Sequence, residues 1–453
     1  MRVMHDGDEV AAAQASLERR LRERVRACRE ELVKTIGELV SIPSENTPPV
    51  GSESECQRYV HRQMEMLGLT TRSYSLHAVA DLARHSLYRH GRDYTDRPNV
   101  AAVWRGSGGG KSLLLSGHID TVPRGSERWS RDPFAATVEG SRLYGLGSND
   151  MKGGIAAMLL ALKILKELGI QLRGDLLAET VVDEEFGGVN GTLAGRLMGH
   201  NADAAILCEP SQNMICPAQT GGRTAQITLR SAKGGVLSED AEQAPLASQV
   251  HYFLGKIGEF AGRRRQHAPI HELYLHSADP VPAWVTKIYS GGWGTKEPIT
   301  LPDCCRIELY WQTMPGETKD QIDREFDLWL NDVVSGRPDL FTQKPDVRFE
   351  IQWLPASAID SRHHLVKSLA ETFQRVTGTQ PQVRGIGGPC DMFVFHQYFN
   401  VPAVLFGPRG GNTHAPDEWV DLESALVTVE TLVQFICQWC QVDWEKSSAA
   451  LRP

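Results

Sequence analysis

The sequence predicts an α/β protein with a smaller α+β domain inserted into a larger one. Short apolar runs rich in small and branched residues alternate with helical stretches, a pattern typical of buried strands in a mostly parallel central sheet flanked by helices. The expected strands cover residues 99–104, 112–116, 176–182, 204–208 and 401–406. A different rhythm between residues 222 and 355 predicts the inserted domain.

The first helices follow from apolar spacing. Residues 12–39 show helical periodicity among many Glu and Arg side chains, which favours one long solvated helix at the start. Pro43 ends it, because proline disfavours helix at the preceding residue. Further helices are expected over residues 54–67 and 153–168.

The insertion reads as a β-α-β-β-α-β unit, which is the ferredoxin-like arrangement. Its predicted strands and helices cover residues 224–229, 245–261, 284–290, 304–311, 317–334 and 347–353. The larger domain would then comprise residues 1–221 and 356–453, and the insertion residues 222–355.

Composition excludes several classes of protein. The 453 residues are 41% hydrophobic and 23% charged, as in globular proteins, and the net charge of −8 argues against a nucleic-acid binder. No apolar run reaches the roughly 18 residues needed to cross a membrane, and no secretory signal is visible. Nine cysteines, an odd number, indicate reduced thiols in a cytoplasm. The single CxxC pair, Cys437 and Cys440, is a weak signal for redox or metal chemistry.

Metal-binding side chains lie in loops that follow the predicted strands. They are His118, Asp150, the adjacent Glu184 and Glu185, Glu209 and His414. Open α/β sheets bind ligands at the carboxyl ends of their strands, so these loops should converge. Two imidazoles and three carboxylates suit Zn²⁺, Co²⁺ or Mn²⁺, and a further carboxylate can take a proton from water. The pattern predicts a hydrolase with two bound metal ions.

Asp120 has two interpretations. It is either a solvent-facing turn residue or an acceptor that orients the imidazole of His118. Two-residue spacing on an extended segment puts both side chains on one side, which favours orientation. We therefore count Asp120 among the catalytic residues.

The motifs together resemble the M20 metallopeptidase family. They run in the order His-x-Asp-Thr-Val-Pro, Asp-Met-Lys-Gly-Gly, Asp-Glu-Glu, Glu-Pro-Ser, Gly-Gly-x-x-Asp and His-Ala-Pro-Asp-Glu. The family includes acetylornithine deacetylase, succinyl-diaminopimelate desuccinylase, aminoacylase and carboxypeptidase G2. The resemblance extends from about residue 38 to the C-terminus and includes the insertion.

This resemblance implies a role for each site residue. Asp150 would bridge two divalent ions, of which Zn²⁺ is expected and Co²⁺ or Mn²⁺ are alternatives. One ion would also be held by His118 and Glu209, and the other by Glu185 and His414. Glu184 would be the general base. Adjacent residues on a strand point to opposite faces, so both glutamates can reach one site only if the strand ends before them.

The resemblance also makes the insertion a lid that forms a homodimer, and here the sequence departs from the family. The usual lid His has no counterpart between residues 223 and 250. Ile299 and Gln312 stand where the family has Asn and Arg. Because such groups commonly grip the substrate, we expect a substrate other than a standard N-acyl amino acid. Replacement donors could come from Lys233, His251 or His271.

The expected function is hydrolysis of a C–N amide bond in a small molecule, without nucleic-acid or membrane partners. A dipeptidase or carboxypeptidase is one alternative. Another is a hydrolase of a non-peptide C–N bond, such as an aryl amide, a carbamoyl group or an activated aromatic amine. A binding protein without activity is disfavoured, because binding alone would not need a free Glu184 beside the metals.

Overall fold

The structure is a computed structural model that describes residues 6–231, 234–235, 245–292, 294, 296–297, 300–341 and 343–447. The α-helices are α1 Asp6–Ala27, α2 Arg29–Ser41, α3 Ser54–Met66, α4 Gly153–Glu167, α5 Asn190–Leu197, α6 Pro245–His267, α7 Lys319–Ser335, α8 His364–Thr377, α9 Met392–Tyr398 and α10 Leu422–Trp439. Among the helices described, none is both long enough and apolar enough to cross a membrane.

The strands of the described residues range from two to ten residues in length. They are β1 Asn46–Thr47, β2 Val50–Gly51, β3 Thr70–Ser75, β4 Pro98–Trp104, β5 Leu113–His118, β6 Thr137–Glu139, β7 Arg142–Tyr144, β8 Leu176–Val181, β9 Ala205–Leu207, β10 Ala218–Gln219, β11 Gly221–Arg230, β12 Gly234–Gly235, β13 Ala283–Ser290, β14 Thr300–Leu301, β15 Cys304–Thr313, β16 Asp346–Arg348, β17 Ser357–Ala358, β18 Ala403–Leu405, β19 Gly410–Gly411 and β20 Trp419–Asp421.

The chain divides into two compact units. The first comprises Met1–Pro217, Ile359–Arg384 and Asp391–Pro453, and the second comprises Ala218–Ala358 and Gly385–Cys390. Residues 385–390, assigned to the larger domain from sequence, group with the second unit. The reason is backbone pairing: the N–H of Thr220 donates to the carbonyl of Ile386 at 3.2 Å.

A six-stranded sheet forms the centre of the first unit, in the order β18-β9-β5-β8-β4-β3. Strands β18, β9, β5 and β8 are parallel to one another, whereas β4 is antiparallel to both of its neighbours, β8 and β3. All six residues of β5 and of β8 are buried, as expected for strands covered on both faces. The mostly parallel sheet is confirmed, but residues 99–104 were predicted as a parallel strand and β4 runs the other way. Local composition does not encode that direction.

Helices cover this sheet. Helix α4 is buried along almost its whole length and packs against α10, which also contacts α8. A Cβ on Gly154 would lie 1.8 Å from the carbonyl oxygen of Cys208, so only glycine allows α4 to approach so closely. The predicted first helix is wrong in one respect, because it is interrupted at Cys28 and forms α1 and α2.

The second unit contains a four-stranded antiparallel sheet in the order β13-β15-β11-β16. Its elements follow the chain order β11, α6, β13, β15, α7, β16, which is the predicted β-α-β-β-α-β sequence. The core is aromatic: the rings of Trp311 and Phe326 stack at 5.1 Å, and Phe260 meets Trp311 edge-on at 5.4 Å. The predicted fold class, an α/β domain with a ferredoxin-like insertion, is confirmed.

Candidate metal centre

The central sheet brings the predicted site residues to one edge. His118 is the last residue of β5, Glu184 and Glu185 follow β8, and Glu209 follows β9. Because these three strands are parallel neighbours, their carboxyl ends meet at the same edge. His414 is in the loop after β19, with a left-handed φ of 60°.

Asp150 lies between the two imidazoles. Its Oδ1 is 3.0 Å from Nε2 of His118, and its Oδ2 is 3.5 Å from Nε2 of His414. Burial opposes ionisation of Asp150, but hydrogen bonds with both imidazoles outweigh it and lower its pKa. A carboxylate in this position can present one oxygen to each side.

Each imidazole also faces a glutamate. Oε2 of Glu209 is 3.7 Å from Nε2 of His118, and Oε2 of Glu185 is 2.8 Å from Nε2 of His414. Ligand atoms of His118, Asp150 and Glu185 all lie within 4.8 Å of one another. Asp150 therefore lies between two imidazoles, and each of these imidazoles also faces a glutamate.

The donor set fits divalent cations. Oε1 of Glu185 is buried and has no hydrogen-bond partner among the described residues. Burial raises the pKa of Glu209 to about 7, and although burial disfavours a charged imidazole, Glu185 and Asp150 raise the pKa of His414 to about 11. The protein thus concentrates negative charge here, which bound cations would stabilise. Imidazole and carboxylate donors suit first-row metals.

Glu184 differs from the other carboxylates. It forms none of the side-chain ion pairs found in the described part of the chain, although it interacts electrostatically with His118. Burial raises the pKa of its carboxyl group, and the charges of Asp391 and Glu209 raise it further. A buried carboxyl group with a raised pKa, next to metal-binding side chains, can accept and return a proton.

The turn after β8 explains how adjacent glutamates reach one site. The strand ends at Val181, and Asp183 has a left-handed φ of 64°, so the alternation of a strand does not continue into Glu184 and Glu185. A Cβ on Gly188 would lie 2.1 Å from the carbonyl oxygen of Asp183. The condition set by the sequence, a strand that ends before the glutamates, is met.

Asp120 contacts both His118 and the glutamates. Nδ1 of His118 is 3.0 Å from the backbone carbonyl oxygen of Asp120 and 3.7 Å from its Oδ1. The carboxylate instead accepts the backbone N–H groups of Glu184 at 3.0 Å and of Glu185 at 3.1 Å. Asp120 therefore meets the imidazole mainly through its backbone, and its side chain holds the glutamate turn. The spacing argument did not anticipate this division.

The turn that carries Asp150 is held by two buried side chains to which the sequence analysis gave no role. The carboxylate of Glu418, the last residue of the His-Ala-Pro-Asp-Glu motif, accepts the backbone N–H of Asp150. The ammonium group of Lys152 donates to the carbonyls of Leu39 and Ile42, each at 2.9 Å, at the end of α2. Both lie inside quoted motifs, so their place in those motifs was the available signal.

The groups considered as replacement donors, and the two positions that depart from the family, have different environments. His251 is exposed on α6, and Nδ1 of His271 accepts the backbone N–H of Leu273 at 3.3 Å. Gln312 is buried, and its Nε2 donates to the carbonyl of Gly387 at 3.2 Å. Lys233 and Ile299 lie outside the described residues. A neutral amide thus occupies the position at which the family resemblance led us to expect an arginine.

Comparison with known proteins decides the family. Residues 114–438 match Peptidase family M20/M25/M40. The chain belongs to this family. Membership confirms the resemblance and the enzyme class, a hydrolase of carbon–nitrogen bonds.

Individual relatives match over most of this M20 chain. It is 28% identical over 437 residues to N-formyl-4-amino-5-aminomethyl-2-methylpyrimidine deformylase of Halalkalibacterium halodurans, covering 91% of this chain and 95% of that protein. It is 28% identical over 346 residues to succinyl-diaminopimelate desuccinylase of Methylobacterium radiotolerans, covering 73% and 82%. The solved structure of human carnosine dipeptidase 1 has a TM-score of 0.71 at 14% identity, covering 94% and 100%, which is a likeness of fold.

Proposed function

We propose that this protein removes the formyl group from an N-formylated aminopyrimidine, using two divalent metal ions. The observation that carries the hydrolytic part is Asp150 between two imidazoles, with the buried Glu184 interacting electrostatically with His118. Similarity to the deformylase over nearly the full length of both chains supports the substrate class. The neutral Gln312 supports a substrate without a carboxylate to grip.

The residues divide between the two ions in this proposal. His118, Asp150 and Glu209 would hold one ion, and His414, Asp150 and Glu185 the other. Zn²⁺ is our first choice, and Co²⁺ and Mn²⁺ have the same ligand preferences. When bound, the ions supply a more acidic water molecule and polarise the amide carbonyl.

The chain's own contribution is proton transfer by Glu184. Its carboxylate takes a proton from the attacking water while the oxygen bonds to the formyl carbon. It then gives that proton to the nitrogen as the C–N bond breaks. The products are formic acid and the free amine, so atoms and charge balance with one water consumed, and the formic acid then releases its proton to solvent as formate.

The substrate test compares amides directly. Metal-reconstituted protein should release formate from N-formyl-4-amino-5-aminomethyl-2-methylpyrimidine with a kcat/KM at least about tenfold above its value for N-acetylornithine, N-succinyl-diaminopimelate or carnosine. Tenfold corresponds to about 1.4 kcal/mol of transition-state discrimination. Equal or faster turnover of an ordinary N-acyl amino acid would refute the deformylase assignment. Fast cleavage of carnosine would favour the dipeptidase alternative instead.

We further propose a homodimer formed through the inserted unit. Strand β13 lies at the edge of its sheet and exposes Trp284, Ile288 and Tyr289, which are 51%, 54% and 65% accessible. An exposed apolar edge strand is a template for pairing with a second chain. Light scattering should give twice the chain mass, and Ile288→Lys should give a monomer, whereas Leu328→Lys on α7 should not. A monomeric native protein contradicts the proposal.

The compartment we propose is the cytoplasm. All nine cysteines are free thiols, and seven of them are buried. Structural disulfides are rare in reducing compartments, and an odd number of unpaired thiols fits that setting. Fractionation of the source cells, with probes of both soluble and exported material, tests this assignment.

A further inference from the structure

The side chain of Asn46 lies between two buried carboxylates near the candidate metal centre. Its Nδ2 is 3.0 Å from Oδ2 of Asp120 and 3.0 Å from Oδ1 of Asp183. Asn46 and both aspartates are completely buried. Because ionised carboxylates only accept hydrogen bonds, the amide nitrogen must face them, and both of its N–H groups are used.

The two carboxylates flank the segment that carries the glutamates. Asp183 is the residue before Glu184 and has the left-handed backbone that redirects the chain. Asp120 accepts the N–H groups of both Glu184 and Glu185. The amide of Asn46 therefore connects the loop after β5, which follows His118, to the turn after β8.

The surroundings favour an amide over a carboxylate at this position. Tyr94 donates its hydroxyl to Oδ2 of Asp183 at 2.6 Å, and Arg97 is 3.8 Å from the other oxygen of the same carboxylate. Arg97 is also paired with Glu53 through two hydrogen bonds. Arg97 also donates to Oδ1 of Asn46 at 3.4 Å, and Arg92 is 3.6 Å from Oδ1 of Asp183. An aspartate at residue 46 would therefore keep one oxygen beside Arg97 but set its other oxygen against Asp120 and Asp183, where the amide now donates.

We propose that Asn46 is a positioning residue that sets the direction of Glu184 and Glu185. It would act by holding Asp120 and Asp183 at a fixed separation, so that the turn after β8, which carries the two glutamates, has one conformation. The inference rests on the proposed function only for the roles of the two glutamates. Its physical content is that the ligand set depends on a side chain from β1, far away in sequence.

The test compares Asn46→Asp and Asn46→Ala with a matched control. The aspartate keeps the size but replaces the two donors with acceptors, whereas alanine leaves space for water. The control is Gln434→Ala on α10, which removes another buried amide, 4% exposed, whose Nε2 donates to Glu430 at 3.2 Å. Each variant is purified as the full chain and depleted of metal, and its stability is measured by urea unfolding.

Two readouts do not depend on turnover. We expect Asn46→Asp to raise the Kd for the more weakly held of the two Co²⁺ ions by roughly 10- to 100-fold. This is the usual effect of losing a partner that orients ligands. Its visible Co²⁺ spectrum should also differ from that of the unchanged protein. Asn46→Ala should show a smaller increase, and Gln434→Ala less than about a twofold one. In active enzyme, Asn46→Asp should lower kcat more than it changes KM.

Several results would overturn the positioning role. One is an unchanged Co²⁺ affinity and spectrum in Asn46→Asp, and another is an equal loss in Gln434→Ala at equal stability. If Asn46→Asp fails to fold, Asn46→Ala decides, and its Kd must exceed that of the control. The proposed function fails separately: no formate release by the unchanged protein would reject the substrate and leave the metal measurements valid.

Discussion

The buried carboxylate of Glu418 accepts the backbone N–H of Asp150 at 2.9 Å, while the side chain of Asp150 faces the two imidazoles. The same carboxylate accepts the N–H groups of Gly147 at 2.7 Å and Asn149 at 2.9 Å. Three donors around one acceptor group fix the path of the turn. The orientation of Asp150 therefore depends on Glu418, which comes from a distant part of the chain.

Glu418→Gln should weaken metal binding, because an amide has only one acceptor oxygen and its NH₂ group would oppose the backbone donors. We expect a Kd for Zn²⁺ or Co²⁺ about 10- to 100-fold higher, measured by competition with a chelator. Glu423→Gln, at a 63% exposed surface glutamate paired with Arg29, is the control and should have no effect. Equal affinities for the two variants would show that Glu418 does not orient Asp150.

Removal of single ligands should reveal which one is shared. Asp150→Ala should lose affinity for both ions, since its oxygens face both imidazoles. His118→Ala and His414→Ala should each weaken the binding of mainly one ion. Metal content after dialysis, measured by elemental mass spectrometry, distinguishes these cases. If Asp150→Ala keeps two ions per chain, Asp150 is not the bridge.

Glu184→Gln should abolish proton transfer without emptying the site. General acid–base catalysis contributes about 10²- to 10⁴-fold, so we expect kcat to fall by that factor while metal content stays near that of the unchanged protein. Glu185→Gln is the informative partner, because it should lower metal content as well. Substantial activity in Glu184→Gln would mean that another group serves as base.

His396 predicts acid sensitivity away from the metal centre. Its Nε2 is 3.0 Å from the carbonyl oxygen of Ala403, and burial lowers its pKa to about 4. Between pH 6.5 and 4 the unfolded chain binds a proton that the folded protein does not. Stability is therefore present above pH 6.5 and is lost as pH falls toward 4, by up to about 1.4 kcal/mol per pH unit.

Urea unfolding of metal-free protein between pH 7.5 and 4 tests this, with His396→Gln for comparison. The variant should lose less free energy of unfolding over the acid range, because glutamine does not titrate. His118 and His414 are common to both proteins, so their contribution cancels in the difference. Parallel pH profiles for the two proteins would show that folding does not change the pKa of His396.

Much of the fold was predictable because burial leaves a local record. The runs that became β5, β8 and β9 are rich in apolar residues and buried at every position, as strands covered on both faces are. Periodicity was less informative about direction and continuity. It did not show that β4 is antiparallel, since direction depends on the partner strand, or that Cys28 interrupts the first helix.

The site was predictable where a side chain itself meets the chemistry. His118 and His414 could be proposed from residue type and position after strands, and the structure places both against Asp150. The supporting residues were not found, because their role lies in hydrogen bonds to distant backbone. Asn46 is an example: nothing in its local sequence indicates that its side chain lies between two aspartates that come from other parts of the chain.

The left-handed residue at Asp183 also limits how this segment can vary among descendants of the gene. Losing or gaining one residue between Val181 and Glu185 would change the directions of the two glutamates. The carboxyl group proposed to transfer the proton would then lie where the proposal places a metal ligand. We expect natural length variation to be tolerated elsewhere on the surface and to be absent from these few positions.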